Sequence, residues 1–234
     1  MTSRRVELAR AFVLHRRPYR ESSVLVEAFS ADHGRVGLVA RGARRPSSRL
    51  RGVLQPFRPL LLSWSGRGEL ATLTAAECEG VVPMLAGGKL ASGFYLNELL
   101  LRLLLRHDPH PELFETYRRV LPRLAVTDAH EPVLRVFEKR LLATIGYGLV
   151  LDHEADSGHA IDPAALYRYY SEQGPVAQTG EDAPGVPVHG RTLIALDREE
   201  LDDPEVLHEA KRLMRNVLTV YLGSKPLASR ALFR

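Results

Sequence analysis

Cysteine is nearly absent from the chain, since Cys78 is the only cysteine in 234 residues. One cysteine excludes an intramolecular disulfide and any zinc site built on several cysteines. Disulfide-free chains are typical of reducing compartments, and the N-terminal segment lacks the apolar stretch and the cleavage site of a signal peptide. We therefore expect a cytoplasmic protein. A lone cysteine is usually a small buried residue, and we expect this of Cys78.

The sequence also lacks long apolar runs and the common catalytic motifs. Its most apolar segment, residues 99–106, is interrupted by Arg102 and Arg106, well short of the ~18 residues that a membrane span needs. A P-loop, an H-E-x-x-H zinc motif and a G-x-S-x-G nucleophile elbow are missing. The pattern Gly66-x-Gly68-x-x-Ala71 resembles a dinucleotide fingerprint but falls in a predicted hairpin turn. We predict no catalytic residue and no cofactor.

Acidic residues are scarce at the two ends of the chain. Residues 1–60 hold thirteen arginines and only four acidic residues, and residues 211–234 hold six basic residues and no acidic one. Residues 150–210, in contrast, carry fourteen acidic residues and three basic ones. Charge this segregated predicts separate surfaces with separate partners.

Hydrophobic periodicity predicts an α+β protein that begins with a β-barrel. Apolar runs separated by turn residues predict five short strands, at 11–14, 24–29, 36–40, 59–64 and 70–76. Five strands of this length fit a small barrel, either the OB-fold, which commonly holds oligonucleotides, or an SH3-like barrel. The residues alone leave both topologies open.

The apolar period changes from 2 to 3.6 after Pro83, which predicts helices at 89–107, 111–124, 131–145 and 203–222. Residues 146–190 are rich in glycine, proline and acidic residues, and we predict an irregular region there, with a candidate short strand at 167–170 and a loop over 174–190. The predicted domains are therefore an OB-fold domain, residues 1–80, and a helical domain, residues 81–234. The second domain includes the loop-rich region 146–190 and a C-terminal basic helix, 203–222.

A cluster of arginines in the barrel segment is the strongest functional signal. Guanidinium groups match phosphate oxygens bidentately, so the cluster predicts that a loop tracks a nucleic-acid backbone without reading its sequence. Six arginines fall within seventeen residues: Arg35, Arg41, Arg44, Arg45, Arg49 and Arg51. Aromatic residues of the same segment could stack on bases. We expect Phe12 and Phe57 to be core residues instead, and leave Tyr19 and Trp64 open.

The predicted helices carry a second, weaker signal. Arg135 and Lys139 are four residues apart, so they share one face of helix 131–145. A basic face bordered by apolar residues could capture the carboxylates of a short acidic peptide. An ordinary exposed helix face explains the same pattern, and the residues alone favour that interpretation.

A loop cluster is the best candidate for a metal site. Histidine and carboxylate side chains within seven residues could supply nitrogen and oxygen ligands. The cluster consists of His153, Glu154, Asp156 and His159. Its spacing matches no zinc pattern, and an exposed acidic loop explains it equally well, so we predict no bound metal.

Several segments, in order along the chain, resemble the RecO family of recombination mediator proteins. The stretch RAFVLHRRPYRESSVLVEAFSADHGRVGLVARGARRPSSRLRGVLQPFRPLLL is similar to the N-terminus of that family, and its most specific part is GRVGLVARGAR, residues 34–44. The resemblance continues through FYLNELLLRLL, FEKRLLATIGYGLVLDH and RYYSEQGPV, and it closes with KRLMRNVLTVYLGSKPLASRALFR. It covers nearly the whole chain.

This resemblance implies an N-terminal OB-fold, a helical domain and no catalysis. Proteins of this kind act in DNA repair and DNA recombination after DNA damage. They bind single- and double-stranded DNA, anneal complementary strands and work on DNA coated by the single-strand binding protein SSB. With the partner RecR they help RecA replace SSB. The resemblance also implies a bacterial protein that is associated with the nucleoid when it acts.

The resemblance assigns roles to particular residues. It assigns DNA contact to the six arginines of the barrel segment and to four basic residues near the C-terminus: Lys211, Arg212, Arg215 and Lys225. Arg135 takes the position that holds the anionic end of the SSB tail, and we group Lys139 and Arg119 with it. Many relatives carry two C-x-x-C pairs that bind zinc, but here that region reads LDHEADSGHA. The chain therefore resembles the metal-free branch.

Two alternatives to a DNA-binding mediator remain at this point. In the first, the protein is a non-catalytic adaptor, and its basic barrel binds an acidic protein partner. In the second, it is a hydrolase with a dispersed site, which only the His153–His159 cluster supports.

Overall fold

The computed structural model describes residues 5–66, 68–177 and 184–233. Contacts between Cα atoms divide the chain into two compact units. The barrel unit comprises Met1–Thr127 and Leu227–Arg234, and the second unit comprises Asp128–Pro226. Packing therefore groups the first two long helices with the barrel, whereas the domain boundary predicted at residue 80 separates them from it. That boundary stays a prediction about folding domains.

The barrel unit is built on a closed five-stranded barrel. The strands are β1 (Arg5–Tyr19), β2 (Ser23–Ser30), β3 (Gly34–Ala40), β4 (Leu60–Ser65) and β5 (Leu70–Cys78). They follow the order β1-β2-β3-β5-β4, and β1 closes the barrel by pairing with β4. Only the β3–β5 pair of these is parallel. The five predicted strands are confirmed, and the closed, Greek-key-like order is that of an OB-fold.

Strand β1 separates two apolar layers because its side chains alternate between faces. Val13 belongs to the cluster inside the barrel, together with Val26 and Leu38. Phe12 points the other way and packs against Phe114, with ring centroids 5.4 Å apart. At fifteen residues β1 is far longer than the predicted run 11–14, because its ends are exposed and carry little apolar signal.

Three helices and a 3-10 helix complete the barrel unit: α1 (Leu50–Val53), α2 (Gly87–Leu103), α3 (Pro111–Val126) and Ala228–Phe233. The Asn97 amide of α2 donates to the carbonyl of Leu14 in β1, and it accepts from the hydroxyl of Tyr117 in α3. Glu98 accepts from the backbone N–H groups of Ala228 and Ser229. These bonds fix α2 between the barrel and the returning end of the chain.

The second unit combines three helices with a small antiparallel sheet. Its elements are α4 (His130–Thr144), β6 (Leu166–Tyr170), β7 (Gly174–Ala177), β8 (Val186–His189), α5 (Gly190–Arg198) and α6 (Pro204–Leu222). Strand β6 lies in the middle of the sheet, between β7 and β8. Helix α6 begins where predicted, because the Asp203 carboxylate accepts from the N–H groups of Glu205 and Val206. Over the described residues, no helix is both long and apolar enough to cross a bilayer.

The prediction of a loop over residues 174–190 is wrong at both of its ends, where β7 and β8 form; residues 178–183 lie outside the described part. Glycine and proline usually indicate loops, but Pro175 and Pro187 lie on the two edge strands, where a missing N–H removes no obligatory ladder bond. Cys78 is also exposed rather than buried, because it ends β5 at the rim of the barrel.

Candidate nucleic-acid interface

One end of the barrel brings the predicted arginine loop beside the β1–β2 turn. Tyr19 at the end of β1 pairs with Ser23, and Val24 pairs with Ala40 at the end of β3. The end of β1, the start of β2 and the end of β3 therefore meet, and the chain that follows Ala40 begins at this place. Two hydrogen-bonded strands lie about 5 Å apart, so side chains from both turns share this surface.

Arg44 fastens the arginine loop to the β1–β2 turn. Its backbone N–H donates to the carbonyl of Ser22 at 2.9 Å. Its guanidinium Nη1 donates to the carbonyls of Arg20 and Glu21, at 3.2 and 3.1 Å. Arg44 therefore holds the loop at the barrel end while its side chain stays exposed.

The first of two grooves at this barrel end has a volume of about 550 Å³. Arg20, Arg41 and Arg45 line it, together with Tyr19, and no acidic residue of the described part of the chain does. The Arg20 guanidinium lies 5.2 Å from the centroid of the Tyr19 ring. The groove therefore combines positive charge with a half-buried aromatic ring, which are the two features that hold a single strand by its phosphates and its bases.

The second groove, of about 300 Å³, is formed by the same loop, through Ala43 and Arg44. Its basic lining residues are Arg16, Arg44 and Arg51, and no acidic residue is among the described residues that line it. Arg49 is exposed at the start of α1. Five of the six predicted arginines thus lie at or beside the two grooves, which we call the arginine grooves.

Arg35 is the exception among the predicted arginines. It lies at the opposite end of β3 from Arg41, about 20 Å away for a strand of this length. Its Nη1 donates to the carbonyl of Leu101 near the end of α2, at 2.8 Å. Burial lowers the pKa of Arg35, and the nearby Glu27 only partly offsets this effect. Arg35 therefore joins β3 to the end of α2.

Three exposed arginines at the barrel end were missed by the sequence analysis: Arg16, Arg17 and Arg20. They belong to the same acid-poor block of residues 1–60, but they lie outside the dense cluster that drew the prediction. The strand pairing alone places them beside the loop, since Arg16 pairs with Val26 and Arg17 with Leu25 at the shared end of the sheet.

The four aromatic residues considered for stacking on bases differ in their exposure. Phe12 and Phe57 are buried, as expected. Trp64 is only 6% exposed and packs edge-on against His33, so its ring faces are not available to a base. Tyr19 alone lies at a groove.

The basic residues near the C-terminus are engaged to different degrees. The Lys211 ammonium lies 2.8 Å from a carboxylate oxygen of Glu131. Arg212 donates to the carbonyl of Pro187 and contacts Glu209. Arg215 and Lys225 are exposed.

The three residues predicted to bind the SSB tail do not form one exposed basic surface. The Arg135 side chain is 6% exposed, and its Nη2 lies 2.5 Å from Glu138, which is fully buried. Lys139 donates to the carbonyl of Asp197 and lies 3.2 Å from Glu199. Arg119 is exposed on α3 and belongs to the barrel unit, whereas α4 belongs to the second unit.

Glu131 connects two of the predicted basic residues within the second unit. One carboxylate oxygen contacts Lys211 of α6, and the other lies 3.8 Å from Nη1 of Arg135. The Glu131 side chain is 34% exposed. An incoming carboxylate that replaced Glu131 would therefore meet both cations.

The candidate metal cluster is used for local hydrogen bonds. His153 pairs with Asp152, and Glu154 accepts from the hydroxyl of Ser157. Among residues 5–66, 68–177 and 184–233, no three histidine, cysteine or carboxylate side chains are grouped to hold a metal ion.

The closed barrel and its arginine grooves define the class of the protein, which is an OB-fold protein whose barrel end suits an extended polyanion. Comparison with known protein families assigns both parts of the chain to one family. The family described as "Recombination protein O N terminal" matches residues 5–81, and "Recombination protein O C terminal" matches residues 84–231. The chain therefore belongs to the RecO family of DNA repair and recombination proteins.

Similar curated proteins are described as DNA repair proteins. "DNA repair protein RecO" of Alkalilimnicola ehrlichii is 55% identical over 237 residues, covering 100% of this chain and 93% of the relative. The protein of that name from Nitrosococcus oceani is 53% identical over 228 residues, covering 97% and 93%. The protein of that name from Methylococcus capsulatus is 53% identical over 230 residues, covering 98% of this chain and 94% of the relative.

Proposed function

We propose that this DNA repair protein anneals complementary single strands and, with RecR, helps load RecA onto SSB-coated DNA. The observation that carries the proposal is the pair of arginine grooves, whose described lining residues include six arginines and no carboxylate. The proposed activity is binding and positioning rather than catalysis. The proposed partners are single- and double-stranded DNA, SSB and RecR, and the place of action is the bacterial cytoplasm, at the nucleoid.

The physical step is the approach of two polyanions. Arginines that neutralise phosphates release the condensed counterions, which lowers the repulsion between two strands without distinguishing their bases. Two grooves formed by one loop offer a place for each strand. The basic residues near the C-terminus, of which Arg215 and Lys225 are exposed, supply further contacts for DNA in this proposal. Lys211 and Arg212 also contact groups of the protein itself.

The proposed site for the acidic–apolar tail of SSB is the start of α4. Support comes from Glu131, since a tail carboxylate that displaces it gains Arg135 and Lys211 together. A tether of this kind raises the local concentration of the protein on coated DNA. Arg135 also compensates the buried Glu138, so its removal is a poor test: it breaks a buried ion pair and costs about 3–5 kcal/mol of stability.

The annealing of two complementary labelled strands, each coated with SSB, tests the whole proposal. The rate is measured with and without the protein, and SSB lacking its tail is the matched control. We expect acceleration that depends on the tail. Acceleration with either form of SSB would keep the DNA role and remove the tail site, whereas no acceleration at low salt would favour the adaptor interpretation.

A further inference from the structure

An aromatic cleft in the second unit plays no part in the proposed function. It has a volume of about 310 Å³, and its lining includes Tyr147, Tyr169 and Tyr221. The rings of Tyr147 and Tyr221 have centroids 4.3 Å apart and planes inclined by 32°. Because Tyr147 is 47% exposed, part of this aromatic surface is open to a ligand.

A carboxylate lines the same cleft. Glu172 lines the cleft, is exposed and lies in the three-residue turn between β6 and β7, with a φ of 71°. This left-handed conformation is unfavourable for a residue with a Cβ, and such strain is concentrated at functional sites. Two residues further on, the backbone packs closely against the cleft wall, because a Cβ on Gly174 would lie 2.9 Å from Cβ of Val150.

The charge of the cleft is negative. No arginine, lysine or histidine of the described chain is among its lining residues. Burial, followed by the negative charge of Glu172, raises the pKa of Tyr221, so its phenol stays neutral near pH 7. A phosphate would meet a carboxylate without any compensating cation here, which argues against a nucleic-acid ligand.

We propose that this cleft binds the guanidinium group of an arginine side chain presented by a partner protein. The faces of tyrosine rings attract cations, and a planar guanidinium can stack on a ring while it donates two hydrogen bonds to one carboxylate. The cleft is lined partly by residues 150–210, which carry fourteen acidic residues against three basic ones in the sequence, and partly by Val217 and Tyr221 of α6. The carboxylate of Glu172 favours the approach of a basic segment of a protein. The inference uses none of the residues of the arginine grooves, so either can fail alone.

The test is a titration of the full chain with the tripeptide acetyl-Gly-Arg-Gly-amide. Binding is followed through the ring resonances of protein carrying isotope-labelled tyrosine, which has eight tyrosines in all. The matched probe replaces arginine with citrulline, which keeps the shape and removes the charge. We expect the resonances of Tyr147 and Tyr221 to shift with arginine, and at least threefold weaker binding with citrulline, as expected for the loss of a cation–π contact.

Glu172→Gln tests the carboxylate without disturbing the packing of the rings. We expect this variant to bind the arginine tripeptide about threefold more weakly, which is within the range of exposed ion pairs. The control Glu200→Gln changes an exposed acidic residue outside the cleft, and we expect it to leave binding of the tripeptide unchanged. Equal binding of the citrulline probe would overturn the proposal. So would a larger shift of the same two rings with adenosine monophosphate, because that result would assign the cleft to a nucleotide.

Discussion

Arg35 and Arg41 stand only six residues apart, yet their surroundings give them different roles. Arg41 lies in a groove that three arginines share, and its side chain is exposed. Arg35 is half-buried and donates to the end of α2. The exposed guanidinium of Arg41 can hydrogen-bond to a phosphate, whereas the half-buried guanidinium of Arg35 already donates a hydrogen bond to a carbonyl. Residue type and local density do not distinguish these two cases.

The double variant Arg41→Gln/Arg45→Gln should flatten the salt dependence of single-strand binding. Each lost phosphate contact lowers the slope of log K against log salt by about 0.7, so two contacts remove about 1.4. The measurement is a titration of fluorescent oligonucleotide at four or more salt concentrations. The pair Arg191→Gln/Arg198→Gln, two exposed arginines of α5, is the control for net charge. An unchanged slope would remove both residues from the DNA interface.

Arg35→Met should lower stability and leave DNA binding intact. The variant removes a charge-assisted hydrogen bond to Leu101, and we expect a loss of about 1–3 kcal/mol in the free energy of unfolding. Urea unfolding measures this loss. The salt slope of DNA binding, measured well below the midpoint, should match the unmodified protein. A reduced slope would return Arg35 to the DNA-contact residues.

At the scale of elements, hydrogen bonds from buried side chains hold helices in place. Asn97 links α2 to β1 and to α3, and it is buried together with both of its partners, Leu14 and Tyr117. In the second unit Glu209 of α6 accepts from Thr192 of α5 and from the backbone and ring of His189. Because a buried polar group without a partner is costly, each of these residues fixes the position of its neighbours.

Asn97→Leu should destabilise the barrel unit by about 2–4 kcal/mol. The change keeps the volume but removes the acceptor of the Tyr117 hydroxyl and the donor to Leu14. Asn216→Leu, which replaces an exposed asparagine of α6, should cost less than 1 kcal/mol. Thermal or chemical unfolding compares the two, and equal losses would contradict the role of Asn97.

Glu209 predicts how the second unit responds to acid. Burial opposes the ionisation of Glu209, but hydrogen bonds from Thr192 and His189 outweigh it and lower the pKa below its ordinary value of 4.5. A lowered carboxyl pKa contributes stability that is present above pH 4.5 and is lost as the pH falls through the folded-state value. Glu209→Gln should therefore be less stable than the unmodified protein at pH 7, and the difference should shrink below pH 4.5. A difference independent of pH between 7 and 3 would contradict this assignment.

At the scale of the whole molecule, charge is divided between surfaces. The arginine-rich first sixty residues supply the grooves, and the acidic residues 150–210 belong to the second unit. In the proposed function the grooves and the exposed Arg215 and Lys225 meet DNA, and the start of α4 meets the tail of SSB. No carboxylate is among the described residues that line the grooves, where it would compete with phosphate.

Glu131→Gln should separate the two proposed activities. Removing this charge takes away the carboxylate that competes with the acidic tail of SSB for Lys211 and Arg135, so tail-peptide binding should tighten about threefold. Annealing of SSB-coated strands should accelerate at limiting protein, whereas annealing of bare strands should not change. Stopped-flow fluorescence measures both rates. Weaker peptide binding, or an equal effect on bare strands, would contradict the proposed tail site.

The sequence by itself determined the five strands, the four long helices and the acid-poor block of arginines. These features are local: an alternating or 3.6-residue apolar period and a run of like charge are written in neighbouring residues. The Asp203 cap and the start of α6 follow from the same local rules. The tail-site residues, by contrast, are assigned by resemblance and stay a prediction.

Only the tertiary structure decided which arginines share a surface. Strand pairing brings Arg16, Arg17 and Arg20 to the loop, and packing against α2 takes Arg35 away from it. The tertiary structure also placed Trp64 in the barrel core and Cys78 at the exposed rim. It placed Arg135 in contact with Glu131 and Glu138. Burial and the choice of partner depend on residues distant in the chain, so no local pattern contains them.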